Sequence, residues 1–179
     1  MLSTILVENS WLTTAALVVL IGLGPLVGAW LVPRRRFTQL LLGSSILVVA
    51  LLTLVPTNRE LTVGCALTWS VPSIGAVELI ANLVLFVPVV LLAGVLTGRP
   101  LTSLVVASGA SVLIEVVQAF APVLGRSCST DDWLYNTLGA VIGALLAAVA
   151  LRLARRRKSG SGARSDSTGD QLVPEHAPE

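Results

Sequence analysis

Five apolar runs, each about as long as the roughly 20 residues a membrane-spanning helix needs, occupy 12–32, 37–55, 77–96, 101–123 and 133–153 of the 179-residue chain. They use up most of the sequence. With 54% hydrophobic residues against 12% charged, where a soluble domain carries about 25% charge, the chain reads as an all-α, polytopic transmembrane helix bundle. The residues before the first run carry Glu8 and no cation, unlike a cleavable signal peptide, so that run is expected to remain as a helix.

Lys and Arg in short loops set orientation. Arg34, Arg35 and Arg36 follow span one, Arg99 follows span three, and Arg152, Arg155, Arg156, Arg157 and Lys158 lie at or beyond the end of span five. With five spans these positions share one side, while the other side holds Glu8, Arg59, Glu60, Arg126, Asp131 and Asp132. The expected topology is N-out and C-in. Residues 1–11 form an extracytoplasmic N-terminus, 12–153 the transmembrane domain, and 154–179 a basic and then polar cytoplasmic tail. From Ser159 the tail is rich in Ser, Gly and Pro without apolar periodicity, and is expected to be disordered. The basic runs are read as topology signals rather than nucleic-acid sites.

Composition excludes some chemistry. The one histidine, His176, lies in the polar tail, leaving none in the spans for a catalytic triad or a histidine-bound metal. No metal or cofactor is expected.

The informative residues are polar groups inside the apolar helices, because a charge at mid-span costs about 2.5 to 3.5 kcal/mol on insertion scales and so tends to face a protein interior. Glu78 and Asn82 lie four apart on one face of span three. In span four Ser108, Ser111, Glu115 and Gln118 fall within an arc of roughly 80°, and in span five Asp132, Asn136, Gly139 and Gly143 fall within roughly 60°. Asp131 precedes that stripe, and Arg126 lies in the loop before it. The three stripes can share one pocket open to the outside, with Arg126 neutralising part of its negative charge. Alternatively these groups only tie helices together, at about 0.6 kcal/mol per hydrogen bond. Gly24 with Gly28, and Gly139 with Gly143, are small-xxx-small pairs that permit close helix approach, and Pro25 and Pro88 interrupt backbone bonding within spans one and three.

Cys65 and Cys128, the two cysteines, fall in loops on the same expected outer side, where an even count favours a disulfide. Such a bond would close a loop of about 60 residues, on the order of 4 kcal/mol in the chain-entropy description, and tie the 56–74 loop over the pocket mouth. The alternative is two unrelated small residues.

Taken in order, Asn82-x3-Phe86-x-Pro88, Ser111-x3-Glu115-x2-Gln118, Arg126-x-Cys128 and Asp132-x3-Asn136-x2-Gly139-x3-Gly143 resemble the VanZ-like family of bacterial membrane proteins. The resemblance covers spans three to five. It departs at Val90 and Ser129, where many relatives carry Gly and Asp. The resemblance implies a multi-pass protein of the bacterial inner membrane that touches cell-envelope lipids or glycopeptides and affects glycopeptide antibiotic susceptibility.

Three functions remain open at this stage. One is a non-enzymatic protein whose outer-leaflet pocket binds a lipid-linked cell-wall precursor, a lipoglycopeptide or another lipophilic ligand, with Arg126 on an anionic headgroup and Glu115 and Asn136 on hydroxyls or amides. The second is an intramembrane enzyme on lipid-linked substrates with Glu115 or Asp132 as general base. The third is a small transporter with Glu115 as a proton site, although no internal repeat supports the usual inverted-repeat plan.

Overall fold

The computed structural model describes residues 11–56, 65–67, 77–126 and 128–169, with 77, 78, 122 and 159–169 described in backbone alone. Five helices follow one another: α1 (Trp11–Leu31), α2 (Arg35–Leu54), α3 (Val77–Thr97), α4 (Pro100–Phe120) and α5 (Thr130–Gly169). Each is long and apolar enough to cross a bilayer, since about 20 residues at 1.5 Å rise match its roughly 30 Å hydrocarbon core. Leu40, Leu101, Val105 and Leu113 stand exposed on the outer surface, as lipid-facing side chains do. The chain is an all-α bundle of a multi-pass membrane protein.

Local chemistry explains most boundaries. Gly98 follows α3 at φ 69°, the left-handed position that glycine takes after a helix end, and Pro100 opens α4 at its first turn, where its missing N–H costs nothing. Between α1 and α2, Thr38 Oγ1 donates to the Leu31 carbonyl at 3.1 Å and locks the turn. The Arg34 guanidinium lies 3.8 Å from the Trp30 ring centroid.

The largest departures from the apolar runs are at the end of α4 and at both ends of α5. Span four was expected to reach residue 123, but α4 stops at Phe120 and a 3-10 turn, Pro122–Leu124, follows. Pro122 disfavours helical backbone at Ala121, which sits at φ −116°, ψ 70°. At the other end of this loop α5 begins at Thr130, three residues before the apolar run, because Asp131 and Asp132 fill its first turn, where acidic groups suit the helix dipole. Its backbone then stays helical to Gly169, past Ser159, where composition predicted disorder. Extending an established helix adds a hydrogen bond per residue without a new nucleus. Residues 170–179, His176 included, lie outside the described residues, as do Glu8, Arg59 and Glu60.

Helices α3 and α5 form the centre, with α1, α2 and α4 around them. Their contact depends on small residues. A methyl group added at Gly139 would collide with the Leu83 carbonyl, and one at Gly143 would lie 2.6 Å from the Val87 carbonyl, so α5 meets α3 backbone to backbone there. Gly28 of α1 and Gly94 of α3 instead lie against the methyl groups of Ala150 and Ala147 of α5. The core around these contacts is aliphatic, with Val87, Leu91, Val95 and Leu146 in one cluster and Val49, Phe86, Val90 and Ala107 in another.

Two short strands, β1 (Cys65–Ala66) and β2 (Cys128–Ser129), pair in parallel with Cys65 opposite Cys128. These residues form a disulfide, with Cα atoms 4.6 Å apart. The bundle therefore has a disulfide end and an opposite arginine end, where the turns carry Arg34 and Arg99.

Candidate functional site

The polar side chains of α4 and α5 meet along one seam. Asn136 Nδ2 donates to Ser111 Oγ at 2.8 Å, and one turn deeper Ser108 and Thr137 share a hydroxyl hydrogen bond of 2.9 Å. Toward the disulfide end, the Ser129 backbone N–H donates to Glu115 Oε2 at 3.0 Å. Glu115, Asn136 and Ser111 are all buried, at 7%, 3% and 0% exposure. One turn before Asn136 on the same stripe of α5, Asp132 Oδ1 accepts from Asn82 Nδ2 at 2.6 Å, which ties α3 to the start of α5.

Gln118 and Arg126 serve a different element. Gln118 Nε2 donates to the Thr53 carbonyl at 2.9 Å, and Arg126 Nε donates to the Val55 carbonyl at 3.4 Å. Both carbonyls belong to the C-terminal end of α2, which has no helical N–H of its own to offer them. The bond Arg126 makes is thus to a backbone carbonyl rather than to a carboxylate. Glu78 lies in the first turn of α3, and its side chain is outside the described set.

Glu115 also faces a cleft of about 570 Å³ between α4, α5 and the disulfide. Val112, Val116 and Phe120 form its α4 wall, Trp133 its α5 wall, and Cys65–Cys128 its rim. Since Val112, Val116 and Phe120 are themselves exposed, the cleft opens on the flank of the bundle rather than into a sealed interior. Of the residues expected to share one pocket, Glu115 lines this cleft, Asn136 and Asp132 face helix seams, and Gln118 and Arg126 hold the end of α2. Asp131 is buried, and its backbone N–H donates to Ser129 Oγ at 3.2 Å. Ser129 thereby caps α5 with its hydroxyl.

Two residues escaped the sequence reading. Trp133 lines the cleft, and Tyr135 is 2% exposed. Among the described residues, the buried atoms Gln118 Oε1, Trp133 Nε1, Tyr135 Oη and Asn136 Oδ1 have no hydrogen-bond partner. An aromatic residue with a polar tip beside an acidic stripe was the available signal. Among the described residues no group of three or more His, Cys, Asp or Glu side chains is arranged to hold a metal ion.

The buried acid, the Asn136 seam and the α3–α5 glycine contacts all lie within one stretch of sequence that a model of the VanZ/LLP1 family covers, residues 11–152. The chain belongs to the VanZ/LLP1 family. No curated protein and no solved structure matches it. In this VanZ/LLP1 chain the matched region holds all five spans up to the arginine-rich part of α5, together with the disulfide and the cleft.

Proposed function

We propose that this VanZ/LLP1-family protein is a non-enzymatic protein of the bacterial inner membrane, whose disulfide-rimmed cleft holds a lipid-linked or lipophilic envelope ligand. The observation that carries this reading is Glu115, a carboxylate 7% exposed that lines, with Ser129 and Thr130, a largely apolar cleft opening on the flank of the bundle. One carboxylate oxygen accepts the Ser129 N–H, and the other is left to accept from a ligand hydroxyl, amide or ammonium. Trp133, whose buried indole N–H has no partner, forms the facing α5 wall. A ligand with an apolar chain along Val112 and Val116 and a polar head at Glu115 matches both halves of the site.

The arginine asymmetry supports an N-out, C-in topology, which puts the disulfide end in the oxidising compartment and the cleft in the outer leaflet. Sequestering an envelope lipid there would change what glycopeptide antibiotics meet at the cell surface. The reading is tested by placing a photoreactive residue at Val116, inside the cleft, and at Val105, on the exposed face of α4 elsewhere. A discrete lipid-linked adduct at 116 and only bulk phospholipid at 105 is expected. The same bulk adducts at both positions would refute it.

A further inference from the structure

A second cavity lies away from the Glu115 cleft. Helix α2 rests against α3 and barely meets α4, which leaves a groove of about 660 Å³ floored by Phe86, Val90 and Ala107. The groove is largely apolar: Thr53, whose hydroxyl donates to the Val49 carbonyl, lines its far end, and Thr97, Arg99, Thr102 and Ser103 gather at the arginine end. From Arg99 to Ile114, which lines the groove near its other end, α4 rises about 22 Å, more than half of the roughly 30 Å hydrocarbon core. That is enough for one acyl chain of one leaflet.

Its charged mouth is rigidly placed. The Arg99 N–H donates to Thr97 Oγ1 at 3.2 Å, and the Arg99 carbonyl accepts from Ser103 Oγ at 3.2 Å, so the α3–α4 corner is held from both sides. Arg99 itself is exposed, and among the described residues nothing holds its guanidinium. A guanidinium offers two parallel N–H donors to a phosphate, and Arg99 stands where α4 presents its free N-terminal N–H groups.

We propose that this groove binds an anionic phospholipid of the leaflet on the arginine side, with its phosphate at Arg99 and one acyl chain between α2 and α4. A second copy of the chain fits the groove less well. Copies in one membrane share an orientation, so pairing across this face would bring Arg99 and the Arg34 to Arg36 run of each into the same leaflet level, where like charges repel.

The test uses the full chain reconstituted in nanodiscs of phosphatidylglycerol and phosphatidylcholine, then released and weighed by native mass spectrometry. The wild type is expected to retain one phosphatidylglycerol in preference to phosphatidylcholine. Arg99→Gln should reduce that preference about fivefold, in line with the value of a basic residue at an anionic surface. Ala110→Trp, which fills the groove from its exposed wall, should remove the retained lipid whatever its headgroup, while Glu115→Gln leaves it unchanged. Equal retention of both lipids, indifference to Ala110→Trp, sensitivity to Glu115→Gln instead, or a dimer that Ala110→Trp dissociates would each overturn the proposal.

Discussion

Glu115 accepts the backbone N–H of Ser129 at 3.0 Å, and Ser129 directly follows the disulfide-bonded Cys128. The acid buried in α4 is thus positioned through the strand that the disulfide anchors. Fold staple and candidate site are coupled over two consecutive residues.

Breaking the disulfide should therefore act on both. Reduction, or Cys65→Ser with Cys128→Ser, opens a link between residues 63 apart, worth on the order of 4 kcal/mol by chain entropy. Thermal unfolding in detergent should show a clearly lower midpoint with reductant, and alkylation of denatured, unreduced protein should modify no thiol. An unchanged midpoint would contradict the staple.

Helix contacts through glycine give a sharper contrast. Gly139→Ala and Gly143→Ala press a methyl group against α3 backbone, and overpacking of this kind costs about 1 to 3 kcal/mol. Gly109 of α4 has nothing within 4 Å of the added carbon, so Gly109→Ala should be neutral or slightly stabilising. Unfolding midpoints of the three variants check this ordering.

The helices were legible because a span is written in the sequence as an uninterrupted apolar run. So were the Asn136 to Ser111 pairing faces, since residues four apart in a helix must share a side. What could not be read were partnerships with backbone. Gln118 lies on the polar face of α4, yet its partner is the Thr53 carbonyl, a group every residue possesses and no sequence marks. Arg126 was expected to face carboxylates because charge is visible in sequence, whereas the Val55 carbonyl it meets is not. The start of α5 was missed for a related reason: counting apolar residues passes over Asp131 and Asp132, whose place in the first turn follows from the helix dipole and the Ser129 cap.

Within the α4–α5 seam, Asn136→Leu and Ser111→Ala should be coupled. A double-mutant cycle is expected to give about 0.6 kcal/mol, the average for hydrogen bonds between membrane helices, read from unfolding in mixed micelles. Additive effects would mean that the 2.8 Å contact contributes nothing.

Orientation can be settled independently. A reporter active only in the cytoplasm, fused after Gly98 in the α3–α4 turn, should be active, and one fused after Gly125 in the α4–α5 loop should be silent. The reverse pattern would place the Glu115 cleft in the inner leaflet and remove its access to external envelope ligands.

The central claim is that the Glu115 cleft selects a ligand by a carboxylate hydrogen bond. Lipids co-purifying with the wild-type protein and with Glu115→Gln, extracted from the same host and quantified by mass spectrometry, test it most directly. One lipid-linked or lipophilic species should be enriched at least several-fold over bulk membrane in the wild type, and lost from Glu115→Gln while the unfolding midpoint is kept. Identical lipid profiles for the two folded proteins would contradict it.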